Sequence, residues 1–340
     1  MSRAGQVAGR AGQKGIAVAW LLTGGAGYIG AHVVRAMIAS GHEVAVLDDL
    51  SSGHREFVPA EVAFVTGSVT DAQLVRQTLA EHHVDGVIHL AGYKYAGESV
   101  KNPLHTYTQN VVGAHVLLHE CLEAGVERFV FSSSAAVYGT PAVDIVDEHT
   151  DTHPESPYGE SKLITEWLLR DVARVTAMQQ TSLRYFNVVG SGYTDIYDSS
   201  PHNLFPLVFR ALVDGRRPCI YGTDYPTADG TCVRDYVDVG ALAQAHVAAA
   251  TALAAGRGLE PVYNLGSGTG SSVRQIMEAI GRGTGIDFEP DIAPRRPGDP
   301  ARIVASGELA ARDLGWASDQ DLDAMVAGAW KAFPKQRPDV

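Results

Sequence analysis

The segment Thr23-Gly24-Gly25-Ala26-Gly27-Tyr28-Ile29-Gly30 constrains this chain more than any other. It follows the apolar run Ala17–Leu22 and opens the amphipathic stretch Ile29–Ser40. It contains both Gly24-x-x-Gly27-x-x-Gly30 and Gly25-x-Gly27-x-x-Gly30. The first glycines permit a tight turn and let the backbone approach a pyrophosphate. The last lets the helix lie close to its strand, so that the helix N-terminus faces the negative charge. The spacing predicts strand, turn and helix in that order. Asp48 ends the next strand about twenty residues on, where an acid binds a ribose 2′-OH. Asp49 adds a second negative charge that disfavours a 2′-phosphate, which points to NAD rather than NADP.

The first half alternates short apolar runs (Glu43–Leu47, Val62–Val65, Gly86–Leu90, Arg128–Phe131, Thr181–Tyr185) with helical patterns such as Asp71–His82. Such alternation predicts an α/β fold: a Rossmann-like, doubly wound parallel sheet. After Asn187 the texture changes to Gly-, Ser-, Tyr- and Asp-rich loop, and residues 187–340 read mainly as a smaller C-terminal α/β lobe. Residues 16–186 form the expected NAD-binding domain, with return segments near 233–265, and residues 1–15 read as a disordered tail. Arg3, Arg10 and Lys14 before Ile16–Leu22 mimic a weak signal peptide, but the glycine turn that follows makes the run a strand. A net charge of −12 disfavours nucleic acid and acidic membrane faces, although a local pocket can reverse the sign. No apolar run approaches the ~18 residues of a membrane span. Three scattered cysteines without a CxxC suit a reducing compartment, and a cytoplasmic location is expected.

Tyr158-Gly159-Glu160-Ser161-Lys162 places a phenol and an amine four residues apart, on one face of a helix. A nearby ammonium and a cationic nicotinamide ring favour the phenolate, so Tyr158 can serve as a general base near neutral pH. Ser134 closes an apolar strand, where residues face the ligand crevice of a doubly wound sheet, and can share a proton with Tyr158. Ser132 and Ser133 read as caps. His115 and His119 share a helix face, as metal ligands can, but no third ligand is suggested and no metal is expected.

Taken together, these features resemble the extended short-chain dehydrogenase/reductases, and within them the UDP-glucose 4-epimerase family. The resemblance is carried further by VAVLDDL (44–50), Gly92-Tyr93-Lys94 with Gly97-Glu98-Ser99-Val100, SAAVYG (134–139), SPYGESK (156–162) and Arg184-Tyr185-Phe186-Asn187. Residues 224–231, Val233-Arg234-Asp235-Tyr236, Tyr263-Asn264-Leu265-Gly266 and APRRPGD (293–299) extend it, from about Ala19 to Trp330. The family interconverts UDP-glucose and UDP-galactose through a transient 4-keto sugar, with NAD taking and returning the C4 hydride.

The resemblance casts Tyr158 as the base, Ser134 as its assistant and Lys162 as the group that holds the nicotinamide ribose. It assigns NAD binding to Gly24, Gly27, Tyr28, Ile29, Gly30, Asp48, Asp49, Ser68, Val69, Leu90, Ala91, Lys94, Asn110 and Phe186, with Ser134, Tyr158 and Lys162. It assigns the UDP-hexose to Ser134, Tyr158, Asn187, Asn203, Leu204, Ile220, Tyr221, Arg234, Arg296, Asp299 and Ile303. Guanidinium matches phosphate oxygens bidentately, which suits Arg234 and Arg296 to the diphosphate. The resemblance also implies a homodimer through helices at Leu104–Glu123 and Tyr158–Val175.

Some positions depart from the family. Gly67-Ser68 stands where an acid often reaches the adenine. Gln109 precedes Asn110 where a second Asn is found in some members, and either residue of the pair can be the one that meets NAD. The loop Val188–Pro201 differs from the family's best-known version. Ile303, intermediate in size, stands where some members have Tyr and others a small residue, so weak turnover of UDP-GlcNAc is expected. The alternative is an epimerase for UDP-N-acetylhexosamine or UDP-uronate. A 4,6-dehydratase is disfavoured by Ala135 and Ala136, which stand where that reaction needs an acid pair. A pure NAD-binding scaffold needs none of Ser134, Tyr158 and Lys162.

Overall fold

The computed structural model describes residues 19–296, 300–318 and 321–335. The chain begins β1 (Ala19–Thr23), α1 (Tyr28–Ala39), β2 (Glu43–Asp48), β3 (Ala63–Thr66), α2 (Ala72–Glu81) and β4 (Gly86–His89). It continues with α3 (Ala96–Lys101), α4 (Pro103–Tyr107), a π-turn at Thr108–Val112, α5 (Gly113–Glu123), β5 (Arg128–Ser134), α6 (Pro157–Val175) and β6 (Gln179–Tyr185). The stretch expected as one helix from Leu104 is continuous, with αR backbone at both junctions of a π-helical segment at Thr108–Val112. Next come β7 (Asn187–Val189), α7 (Leu204–Val213), β8 (Cys219–Tyr221), β9 (Val233–Arg234), β10 (Tyr236–Asp238), α8 (Val239–Ala254) and β11 (Val262–Leu265). The last elements are β12 (Ser271–Ser272), α9 (Val273–Thr284), β13 (Asp291–Ala293), β14 (Arg302–Ile303), α10 (Glu308–Leu314) and α11 (Leu322–Ala332).

Seven strands form one parallel sheet in the order β11-β6-β5-β4-β1-β2-β3. Period-two alternation feeds two cores from the same strands. Trp20 and Leu22 of β1 face the side covered by α1 and α8, whereas Leu21 faces the side of α2, α5 and α6 with Val87, Leu117 and Phe129. Because both faces are covered, the fold is a Rossmann-like doubly wound α/β sheet. The chain runs outward through β2 and β3, then crosses back to place β4 on the other side of β1. A crevice opens at that reversal, beyond the carboxyl ends of β1 and β4.

The smaller elements form short sheets: β7 with β10, β8 with β13, and β9 between β12 and β14. Of the segment from β9 to β11, only β11 joins the large sheet, beside β6. A third core of Phe205, Phe209, Ile276, Ile280, Met325 and Val326 lies beneath α7, α9 and α11. Among the described residues, no helix is long and apolar enough to cross a membrane.

Candidate active site

A cleft of about 1000 Å³ opens over the strand reversal, lined from one side by the glycine turn and from the other by residues of the C-terminal half. Gly24 follows β1 with φ +75°, and a Cβ there would sit 2.6 Å from the Ala91 amide nitrogen beyond β4. A Cβ on Gly30 would run into the Gly24 carbonyl. Only glycine allows this turn to nest between the two strands. Gly27 is the N-cap of α1 and brings no side-chain cap. The first amides of the helix are therefore offered to the cleft, the arrangement that takes a phosphate. Asp48 lines the same wall; its Oδ2 accepts from Ala26 N at 2.9 Å and its Oδ1 from Leu50 N at 2.9 Å. Burial pushes its carboxyl above the ordinary range, against the pull of the two amides. A turn of bare backbone, an uncapped helix start and a buried acid together fit the pyrophosphate and ribose of NAD.

Ser156 caps α6 by accepting from Gly159 N at 3.2 Å, and Pro157 starts the helix with a φ already set for it. Tyr158, Lys162 and Glu166 then recur at every fourth residue along one face. Tyr158 and Lys162 line the cleft. The Lys162 Nζ lies 5.9 Å from the Tyr158 ring centre and donates to Ser132 O at 2.9 Å. Burial brings its pKa down to about 8, with Glu166 pulling the other way. Burial raises the Tyr158 phenol, and a hydrogen bond from Ser134 opposes it. Lys162 stays near the Tyr158 ring while donating to the Ser132 carbonyl, and Ser134 acts on the phenol oxygen directly. Ser134 stands beside the cleft and also accepts from Ala136 N at 3.2 Å.

Ser132 and Ser133 are not the caps the sequence suggested. Ser132 Oγ bonds His246 Nε2 at 2.9 Å, and Ser133 Oγ donates to Glu166 Oε1 at 2.5 Å. Glu166 holds Arg184 bidentately, 2.9 Å at Nε and 2.5 Å at Nη2, and Arg184 Nη1 donates to Tyr138 Oη at 2.9 Å. The pair is buried directly beneath Lys162.

Of the other anticipated cofactor residues, Tyr28, Ile29, Asp49, Ser68, Val69, Leu90, Ala91, Lys94 and Phe186 also line the cleft. Asn110 does not. Its amide is used within the protein, accepting from Tyr93 N at 2.6 Å and donating to Tyr93 O and Ser161 Oγ. It is a strut that fixes the loop after β4 to α6, and its neighbour Gln109 faces the cleft instead. Of the anticipated sugar-nucleotide residues, Asn187, Asn203, Leu204, Tyr221, Arg234 and Arg296 line the cleft. The Arg296 guanidinium lies 4.2 Å over the Tyr221 ring. Ile220 is buried in the third core instead, because strand alternation turns Cys219 and Tyr221 outward and Ile220 in. Ile303 is 9% exposed and packs with Phe186 and Val137 behind the wall. Asp299 and the tail at 1–15 lie outside the described residues.

Sequence reasoning missed Arg216, Arg217, Tyr93, Tyr95 and His202, all on the cleft wall. Nothing local marks them, since they follow helices and strands that converge only in the fold. With the two arginines the wall carries six cations (Lys94, Lys162, Arg216, Arg217, Arg234, Arg296) against three carboxylates (Asp48, Asp49, Asp198). The cleft thus reverses the sign of a chain whose net charge is −12, as an anionic ligand requires. His115 and His119 lie 6.5 Å apart between ring centres, and no cluster of three metal-ligating side chains occurs among the described residues.

Residues 20–266 match the model of the NAD dependent epimerase/dehydratase family. A UDP-glucose 4-epimerase of Azospirillum brasilense is 43% identical over 315 residues, spanning 91% of this chain and 90% of its own length. The structure superposes on a UDP-glucose 4-epimerase of Brucella ovis in complex with NAD, with a TM-score of 0.88, 36% identity and coverage of 92% and 98%. It also superposes on one from Bifidobacterium longum in complex with NAD+ and UDP, with a TM-score of 0.85, 35% identity and coverage of 93% and 98%. Fold, cleft and similarity over most of the length converge: the chain belongs to the NAD dependent epimerase/dehydratase family.

Proposed function

We propose that this protein is a UDP-glucose 4-epimerase, which interconverts UDP-galactose and UDP-glucose with NAD as resident cofactor. The observation that carries the reading is the meeting of Tyr158, Ser134 and Lys162 at a cleft whose facing wall is an uncapped helix start. The turn at Gly24–Gly30 would hold the pyrophosphate, Asp48 a ribose and Lys162 the nicotinamide ribose. When bound, NAD supplies a reversible oxidant for C4 and a positive charge that favours the Tyr158 phenolate.

Tyr158 removes the proton from the C4 hydroxyl as that carbon is oxidised, and returns it to the 4-keto sugar on the way back. Ser134 donates to the phenol oxygen and steadies its charge. The keto sugar must turn over between the two half-reactions, so the firm grip belongs on the UDP. Arg234 and Arg296 serve the diphosphate, and Tyr221, Asn187, Asn203 and Leu204 hold the rest of the nucleotide sugar. Residues up to Phe186 mainly bind NAD and those beyond mainly bind the UDP sugar.

Ile303 and Phe186 share one aliphatic–aromatic cluster behind the sugar end. With no bulky ring at 303, slow turnover of UDP-GlcNAc is expected alongside UDP-glucose; its complete absence counts against that breadth. The exposed Leu104, Val112 and Trp167 (80%, 47% and 47%) fit a homodimer through α4–α6, which light scattering reads directly. The scattered free cysteines fit a cytoplasmic enzyme.

The test is to give the purified protein UDP-galactose without added NAD and follow the anomeric protons by NMR. Growth of UDP-glucose to equilibrium is the expected result. Silence even with NAD bound would overturn the assignment.

A further inference from the structure

Four rings stand in a row along one end of the cleft. The His105 and Tyr93 centroids are 4.9 Å apart, those of Tyr93 and Tyr95 5.5 Å, and those of Tyr95 and His202 4.8 Å, each pair edge to face. All four side chains line the cleft. The first three come from α4 and from the loop after β4, in the N-terminal half; His202 comes from the loop before α7, in the C-terminal half. The contact between Tyr95 and His202 therefore joins the two sides of the cleft.

The row lies beside the catalytic tyrosine. Tyr95 is the N-cap of α3, and Ser99, one turn on in that helix, accepts from the Tyr158 amide at 3.1 Å. Each side of the contact rests on a fixed backbone. Asn110 exchanges two hydrogen bonds with Tyr93, accepting from its N at 2.6 Å and donating to its O at 3.0 Å, and ties that loop to Ser161 of α6. Across the cleft, Ser200 Oγ accepts from the amides of His202 and Asn203, while Asp198 accepts from Ser200 N and Asn203 Nδ2. What can move without breaking these bonds is the pair of rings: Tyr95 is half-buried and His202 exposed.

The reaction needs such a pair. Arg234 and Arg296 serve the diphosphate, but the 4-keto sugar itself must turn over before it is reduced. A hydrogen bond made to one face of the sugar is lost when it turns. Rings closed across the mouth confine it without fixing either face. We propose that Tyr95 and His202 form a clasp across the sugar end of the cleft, which keeps the 4-keto sugar nucleotide from leaving between the two half-reactions. The inference rests on the proposed function. Each early departure has a fixed balance: the sugar has lost a hydride to NAD and a proton to Tyr158. One NADH is then stranded in the protein for every 4-keto sugar nucleotide that appears in solution.

The test gives holoenzyme UDP-galactose, follows the near-ultraviolet absorbance of NADH and counts the free 4-keto sugar nucleotide by mass spectrometry. An edge-to-face pair is worth a factor of about 2 to 10 in an equilibrium. Tyr95→Ala and His202→Ala should each raise the NADH stranded per turnover by about that factor, with one free keto sugar for each. Y95A/H202A should strand no more than either single variant, since losing one ring already opens the clasp. Tyr95→Phe keeps the ring and should strand no more than wild type. Stranding in Y95F equal to that in Y95A would place the effect in the hydroxyl, and additive effects would mean two separate sugar contacts; either result overturns the clasp. So does NADH that rises without free keto sugar, or stranding unchanged in both alanine variants. Because His202 is exposed, H202A decides the matter even if Y95A does not fold. A wild-type protein that leaves UDP-galactose untouched strikes at the proposed function and takes the clasp with it, whereas normal turnover with unchanged stranding overturns the clasp alone.

Discussion

Glu166→Gln tests whether the buried pair beneath Lys162 holds the site in register. Glu166 accepts from Arg184 Nε and Nη2 and from Ser133, and neither charged side chain reaches water (5% and 6% exposed). A glutamine keeps one acceptor oxygen but turns an NH₂ toward a donor and leaves the Arg184 charge uncompensated. Breaking one side of a buried pair costs about 3–5 kcal/mol. At roughly 2 °C per kcal/mol for a chain of this length, the midpoint should fall by about 6–10 °C. Added salt should not change this, because the pair is screened little. The charge-free double variant Glu166→Met/Arg184→Leu should recover at least half of the loss, since it leaves no orphan charge. Glu166 also raises the Lys162 pKa, so the single variant should shift the alkaline fall in activity to lower pH. Calorimetry and a pH–rate profile read both effects. A midpoint within about 2 °C of wild type, or a double variant as unstable as the single one, would refute the reasoning.

Three further outcomes are expected. Tyr158→Phe should lower turnover by about 10²–10⁴-fold, the usual worth of a general base, while melting and NAD retention stay as they were; near wild-type turnover would remove Tyr158 from its role. Asp48→Ala should weaken NAD retention by about 10- to 100-fold, the worth of a hydrogen bond to a charged group, and the bound nucleotide released on denaturation measures it. Lys162 has its folded pKa near 8, below its unfolded value, so the unfolded chain binds more protons between about pH 8 and 10. Its contribution to stability therefore rises with pH in that window, by up to about 1.4 kcal/mol per unit. Urea unfolding of wild type against Lys162→Met should show the difference growing from pH 8 to 10, and a flat difference would contradict the burial of the charge.

What could be read from the sequence was what is local. The glycine turn, the acid at the end of β2 and the four-residue step from Tyr158 to Lys162 each lie within one element or across one connection. The strand–helix alternation was likewise local, and it carried the doubly wound sheet with it. Residues whose roles depend on side-chain direction were less legible: Ile220 shares a three-residue strand with Tyr221 and faces the core, and Asn110 faces Tyr93 where Gln109 faces the cleft.

The three serines that end β5 show where reading the sequence stops. They are chemically identical neighbours, and alternation alone puts Ser132 and Ser134 on one face and Ser133 on the other. Their partners are set by three different parts of the chain: His246 of α8 for Ser132, Glu166 of α6 for Ser133, and Tyr158 at the start of α6 for Ser134. A cap is the cheaper explanation for a serine as long as only its neighbours are known, because capping needs nothing beyond the next turn. Once packing buries the strand end, an unpaired hydroxyl is costly, and each serine must find a partner where it stands. The site's polarity is therefore a property of the packed layers on both sides of β5. Altering α8 should change the chemistry at the cleft even though none of its side chains lines it.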